Sequence, residues 1–374
     1  MPRSLPLPRR AALVGACGGA AAYLALRACA ASAQAGPLFL VCRVHPALGA
    51  GVALVDDHAG AAAGPALPDR GHGLCLRPGT AEAVVFARRP GTFAAVFEPA
   101  TGLVLRRFDS PPERHFYGHG VFDPTGRILV ATENDVTRGQ GVLGLYDAAD
   151  GYRRVGELPA HGIGPHDIAL LPDGRTLAVA NGGILTLPET GRDKLNLDTM
   201  RPSLNLVDLA SGRLLEARRL PDRLRHLSLR HLAQTGDGLV AAGLQWEGEP
   251  GAPVPLVALD RGNGLETLDI PGDILPSLAG YVGSVAFDRT GRVLAASCPR
   301  GDRVAFWRAQ DGSFLRAVTL ADACAVGPAH AAGRFLAATG TGQVVEIDPA
   351  DGAILALGER APAAYDNHLL VMQS

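Results

Sequence analysis

The sequence predicts an all-β protein, a seven-bladed β-propeller closed by its N- and C-terminal strands in one blade. Two interleaved series of turn glycines and a pair of incomplete chain ends carry that expectation. In the first series a residue, acidic in every case but one, is followed four positions later by glycine: Asp56 with Gly60, Glu98 with Gly102, Asp147 with Gly151, Asp208 with Gly212, Asp260 with Gly264, Arg308 with Gly312 and Asp348 with Gly352. Successive intervals are 42, 49, 61, 52, 48 and 40 residues, within or near the period of a four-stranded blade. The second series, Gly79, Gly126, Gly174, Gly238, Gly291 and Gly333, falls between members of the first. Each unit therefore holds two tight turns, and glycine suits them because hairpin turns require positive φ.

Short β-prone runs lie between the turns, for example 128–132, 176–180, 293–297 and 344–348. Their lengths suit strands rather than helices. Each unit reads as inner strand, turn, second strand, long loop, third strand, turn, outer strand. The chain begins with a second and third strand at 39–44 and 51–56, and ends with an inner strand at 367–372 that has no turn after it. Joined, the two ends complete a seventh blade and leave no open sheet edge.

Residues 1–35 resemble an export signal and stand apart from a propeller over 36–374. Arg9 and Arg10 precede an apolar run from Ala11 to Leu26, followed by alanine-rich cleavage positions near Gln34 or Gly36. The twin arginine predicts a periplasmic protein exported folded by the twin-arginine route. Arg27 ends the run short of the roughly 20 apolar residues that span a bilayer, so the mature chain is expected to lack a membrane span. The formal charge is −2, and removing the four leader arginines leaves about −6, which argues against a nucleic-acid partner. Four cysteines remain after cleavage, and Cys298 with Cys324 can be read either as a bridge or as buried thiols. Lys194 is the single lysine, which makes Schiff-base chemistry a poor expectation.

Strand direction sorts the loops. The short glycine turns share one face; the opposite face collects the long loops 87–91, 133–141, 181–202, 245–255 and 299–302, where function is expected. The inner strands carry the sharpest pattern. His72, His119 and His231 stand seven residues before their turn glycines, His166 stands eight before, and the last strand offers His368. The two remaining strands place Ser284 and the 322–324 stretch at that level. Five imidazoles are thus expected to converge at the top of the central channel. Neutral imidazole binds zinc, copper, iron and nickel, so these five are candidate ligands of a first-row transition-metal ion; polar lining of the channel is the competing reading. Further ligand-binding candidates are Glu133, Asn134 and Asp135, His161 on a top loop, Asn181 at the head of the long insertion, and Arg88, Arg89 and Arg300 for an anion. That insertion, with Arg192, Asp193, Lys194, Asn196 and Asp198, is polar enough for a lid or a docking surface.

The runs FYGHGVF at 116–122, TEND at 132–135, HGIGPH at 161–166, ANGGI at 180–184, LNLDTM at 195–200, LRHL at 229–232, YVGS at 281–284 and PRG at 299–301 resemble the domain of unknown function family 1513. The resemblance spans nearly the whole mature chain. It implies an exported bacterial propeller of the YVTN and quinoprotein-amine-dehydrogenase-like class, often encoded beside imelysin-like iron-uptake proteins, and it supplies no established reaction. Two functional classes follow. The favoured one is a non-enzymatic periplasmic propeller that binds a metal, small ligand or partner at the top of its channel, accessory to iron or metal uptake. The alternative is an enzyme, either a lactonase-like hydrolase with a cation at Glu133, Asn134 or Asp135, or a quinoprotein-like oxidoreductase.

Overall fold

A computed structural model describes residues 39–55, 61–191 and 193–372, with the side chains of 61–63 left aside. The export signal and its cleavage positions, the Asp56 turn and Arg192 lie outside the described residues. Twenty-eight strands follow one another with only 3₁₀ turns between them, and no α-helix occurs among the described residues. The strands are β1 (Phe39–His45), β2 (Gly49–Val55), β3 (Ala61–Ala66), β4 (Gly71–Leu76), β5 (Ala83–Ala87), β6 (Phe93–Glu98), β7 (Leu103–Asp109), β8 (Arg114–Phe122), β9 (Ile128–Asp135), β10 (Gln140–Asp147), β11 (Arg153–Pro159), β12 (Pro165–Leu170), β13 (Thr176–Asn181) and β14 (Ser203–Asp208). They continue with β15 (Leu214–Arg218), β16 (Leu227–Gln234), β17 (Val240–Trp246), β18 (Val257–Asp260), β19 (Leu265–Thr267), β20 (Ser284–Phe287), β21 (Val293–Cys298), β22 (Arg303–Arg308), β23 (Phe314–Thr319), β24 (Ala323–Pro328), β25 (Phe335–Thr339), β26 (Val344–Ile347), β27 (Ile354–Ala356) and β28 (Ala364–Val371).

Five sheets take four consecutive strands each, β4–β7, β8–β11, β12–β15, β16–β19 and β20–β23. The sixth has the order β27-β26-β25-β24-β28-β1-β2-β3. Within it β28 pairs antiparallel with β1, so the two ends of the described chain share a sheet, while β24 and β28 are joined by one parallel bridge, Val326 to His368. The first strands β4, β8, β12, β16, β20, β24 and β28 neighbour one another in that order, and β28 also neighbours β4. The fold is all-β and β-propeller-like.

The turn chemistry explains the punctuation. Every glycine of the second series has positive φ, from 66° at Gly174 to 92° at Gly238, and so has every described glycine of the first, from 59° at Gly151 to 122° at Gly264. The turn at Arg308 closes like those at Glu98, Asp208 and Asp348, with the Gly312 N–H donating to the Arg308 carbonyl at 2.9 Å. Second strands such as β5 and β13 are buried along their whole length because neighbouring sheets cover both faces, so their sequences run apolar without alternation. Paired small residues in β17, β21 and β25, Ala241-Ala242, Ala295-Ala296 and Ala337-Ala338, are buried and allow the sheets to approach closely. Farther out, aromatic side chains fill the widening gap: Phe86, Phe108, Phe116, Tyr146 and Tyr152 form one cluster between the first two complete sheets. Each such side chain contributes about 1.5–3 kcal/mol by burial. All four described cysteines are buried free thiols, so Cys298 and Cys324 are not bridged.

Candidate functional site

A break in strand regularity accompanies every one of the five histidines. On four first strands the register shifts at the histidine: between Gly71 and Leu74 in β4, between Phe116 and Gly120 in β8, between Pro165 and Asp167 in β12, and between Leu229 and His231 in β16. On β28 the shift leaves Asp366, Asn367 and His368 facing the single residue Cys42. A bulge adds a residue, bends the strand and re-aims its side chains. β20, which carries Ser284 instead of histidine, keeps a regular register. Space for the rings comes from two glycines. A Cβ at Gly73 would sit 2.3 Å from the Gly118 carbonyl oxygen, and a Cβ at Gly118, whose φ is +105°, would sit 2.7 Å from the His72 ring.

The structure brings the five imidazoles together. His72 lies with its ring centroid 4.9 Å from His119, 5.7 Å from His166, 6.1 Å from His231 and 4.7 Å from His368. His119 and His368 are 4.6 Å apart, and His231 is 4.9 Å from His166 and 4.7 Å from His368. One nitrogen from each of His72, His119, His166 and His231 lies within 4.8 Å of the others. Four donors held tetrahedrally at 2.0–2.1 Å per bond stand about 3.3–3.4 Å apart, so a set spread over up to 4.8 Å closes on an ion by drawing in its outermost rings by up to about 1.4 Å.

Two carboxylates stand behind the rings of His72 and His119. His72 Nδ1 is 3.0 Å from Asp366 Oδ1, and His119 Nδ1 is 3.1 Å from Asp167 Oδ1. An ionised carboxylate only accepts, so the hydrogen bond to Asp366 leaves the proton on His72 Nδ1 and a lone pair on its Nε2, while Asp167 stands beside His119 as a charge contact. Asp366 also receives Arg70 at 2.8 Å and Arg88 at 2.5 Å. Against the upward push of burial, the His72 hydrogen bond and the Arg88 charge hold its carboxyl well below the ordinary range. Asp167 is tied to a third strand, accepting the Leu232 N–H at 2.8 Å. Burial, only partly opposed by Asp366, lowers His72 from 6.5 to about 4. His166, His231 and His368 are pushed well below their usual value by burial first and by neighbouring cations and imidazoles second. These four rings are therefore neutral at pH 7. Among the described residues, His119 Nε2, His166 Nε2, His368 Nε2 and both His231 nitrogens are buried without a hydrogen-bond partner.

Two cavities meet this layer from different sides. The first, about 160 Å³, has His72, His166 and His231 at its base and Arg88, Arg89, Lys194, Arg230, Arg300 and Glu247 in its walls. The second, about 650 Å³, reaches His368 past Leu369 and Leu370 and is lined by β16, β20 and β24 with their turns. A third and larger space, about 980 Å³, lies among the short turns near Asp237, Thr290 and Arg308 and touches no histidine.

The other sequence candidates divide. Arg88, Arg89 and Arg300 line the small cavity, and Lys194 brings the long insertion to its rim. Glu133, Asn134 and Asp135 do not line it. Glu133 is enclosed between strands, where it accepts from Tyr146 at 2.5 Å and Arg154 at 2.8 Å. Asp135 pairs with Arg114 at 3.1 Å, and Asn134 donates to the Thr186 carbonyl at 3.2 Å. His161 Nε2 meets the Gly212 carbonyl at 2.8 Å, and Asn181 donates to the Ala160 carbonyl at 3.1 Å; both tie neighbouring strands together away from the cavity. Sequence reasoning missed Asp167, Asp366 and Arg230. Their signal was adjacency, since Asp167 follows His166, Arg230 precedes His231 and Asp366 sits two residues before His368.

A β-propeller-like scaffold with a buried polyhistidine layer at its centre is the class that fold and site define. Within that class the chain belongs to DUF1513, a family of proteins of unknown function, whose model matches residues 65–372. Among solved structures it is similar to the hydrazine synthase of Kuenenia stuttgartiensis, with a TM-score of 0.58 and 17% identity over 79% of this chain and 89% of that one. At that identity the likeness concerns the fold. No curated protein matches the chain.

Proposed function

We propose that the protein is a seven-bladed β-propeller that binds one first-row transition-metal ion in its central histidines and serves metal capture in the periplasm rather than catalysis. The blade count is supported by the cyclic neighbourhood of the seven first strands and by the single parallel bridge that divides the eight-stranded sheet into two sets of four. The metal reading rests on one observation above all: buried imidazole nitrogens without partners, gathered around one point. An unsatisfied buried polar group costs about 1–3 kcal/mol. A cluster of them calls for an occupant, and an ion ligated by neutral imidazole satisfies several at once.

Asp366 favours the same reading, because a carboxylate hydrogen-bonded behind a ligating histidine sets the tautomer and raises ligand basicity. The hydrolase alternative finds less support, since Glu133 and Asp135 are taken up by arginines away from the cavity. Export by the twin-arginine route and partnership with imelysin-like proteins rest on the leader sequence and the family resemblance. Replacing Arg9 and Arg10 by lysine is the test of the route, and periplasmic protein at the wild-type level would refute it.

Metal analysis of untagged protein purified from the periplasm should return one ion per chain. Titration of the metal-free protein with zinc, copper and ferrous iron should show that His119→Ala and His231→Ala abolish tight binding. Asp366→Asn should weaken it about 10–100-fold. Equal affinities in all four proteins would sink the site.

A further inference from the structure

We infer that the small cavity above the histidines is a binding site for a small oxyanion of the carboxylate class, held by Arg230 and Arg300 at the mouth of the metal site. The wall contains five cations, Arg88, Arg89, Lys194, Arg230 and Arg300, against one carboxylate, Glu247. Local pairing neutralises part of this charge. Arg88 is bound to Asp366, and Lys194 pairs with Glu247. Of the remaining three, Arg89 donates to the Thr186 hydroxyl at 2.9 Å and lies over the Tyr117 ring, and Arg230 and Arg300 have donors to spare. Arg230 is 93% buried, yet its Nη2 reaches Glu247 only at 3.7 Å, its Nη1 stands 3.5 Å from His166 Nδ1, and its Nε is unpartnered. Arg300 lies over the Tyr281 ring at 4.2 Å and meets no carboxylate among the described residues. Stacking leaves the guanidinium edge available for in-plane hydrogen bonds, the geometry in which arginine grips planar oxyanions.

Size narrows the ligand. At ~30 Å³ per water, 160 Å³ holds about five waters, well under the several hundred Å³ of a pocket for a drug-sized molecule. A two- to four-carbon dicarboxylate fills it; a nucleotide does not. Charge balance favours the same class. Imidazole ligates a metal in its neutral form, so a bound dication adds two positive charges beside Arg88 and Arg230. The two carboxylates behind the rings are already engaged by arginine or backbone donors. An anion bound in the cavity offsets that excess. This coupling rests on the metal reading, whereas the anion site itself stands on Arg230, Arg300 and the cavity.

The probe is malonate, titrated by calorimetry into the full mature chain, both metal-free and loaded with nickel. Wild-type protein should bind one malonate. Arg300→Gln should bind it at least tenfold more weakly while keeping the wild-type nickel stoichiometry and melting temperature, and the double variant Arg230→Gln with Arg300→Gln should bind it more weakly still. Nickel loading should tighten malonate, and malonate should tighten nickel by the same factor. Malonate bound by wild type but weakened in Arg300→Gln supports the anion site even if no nickel binds, an outcome that removes only the metal reading. Nickel bound without malonate, or equal malonate affinity in wild type and Arg300→Gln, overturns the anion site and leaves the metal reading standing. Should the double variant misfold, Arg300→Gln alone, at an exposed position, must weaken malonate by itself. Inorganic phosphate serves as the parallel probe, and phosphate binding with no malonate binding overturns the carboxylate assignment.

Discussion

At the scale of the residue, the decisive property is that His72, His166, His231 and His368 are buried in neutral form. His72 titrates near 4 in the fold against 6.5 when unfolded, so between those values the unfolded chain binds a proton that the fold does not. Stability of the metal-free protein should therefore be level above about pH 6.5 and fall as the pH drops toward 4, by up to about 1.4 kcal/mol per pH unit for each such imidazole. Asp366, depressed instead, contributes its loss only below the ordinary carboxylate range, so the two windows separate. Urea denaturation across this interval measures the slope, and His231→Gln should reduce it. A flat profile would contradict neutral burial. Which residues form the layer was legible in the sequence, because a common distance from a turn glycine puts equivalent positions of a repeat at one height. Which carboxylates support them was not. Glu133 and Asp135 were attractive as acids near His119, but β9 directs them toward Arg154 and Arg114, and only the tertiary fold brings Asp366 to His72 and Asp167 to His119.

At the scale of the element, the bulges do what regular strands cannot. Alternation with period two would give each first strand a fixed division between its faces, and the extra residue resets it so that a ring reaches the axis. Gly118 is the most demanding position in this arrangement. Gly118→Ala should lose about 1–3 kcal/mol from the strained φ alone and should also displace His72, lowering metal affinity together with stability. Gly156→Ala is the control, since its Cβ would find only the Leu145 side chain at 3.8 Å, and its stability should change by less than about 0.5 kcal/mol. Equal effects in denaturation and metal titration would show that the bulge imposes no special constraint. The tight turns were readable beforehand because positive φ selects glycine. The bulges of β16 and β28 left no such mark, as Arg230 and Asn367 are ordinary strand residues whose register is set by their neighbours.

At the scale of the whole molecule, joining the chain's ends in one sheet makes folding depend on the last strand. Ending the chain at Pro362 removes β28, and with it the pairing to β1, the bridge to β24, His368 and Asp366. Two sheet edges open at once. The truncated protein should aggregate or melt well below the full chain, as size-exclusion chromatography and thermal denaturation would show; a monomer with an unchanged melting temperature would mean that closure is dispensable.

The two cavities that meet at the histidine layer differ in charge, and that difference bears on traffic. A hydrated dication approaching the arginine-lined mouth meets repulsion, whereas a metal already wrapped in carboxylate ligands is drawn toward it. Added salt, which shortens the reach of both forces, should speed loading by free zinc through that mouth and slow loading by an anionic zinc complex. Stopped-flow records at two ionic strengths distinguish these signs, and a salt-independent rate for both would mean that entry runs past His368 through the broader opening, where Asp237 and Asp288 face a single arginine, Arg289. The arginine-lined mouth would thus act as a customs post, admitting the ion by the company it keeps.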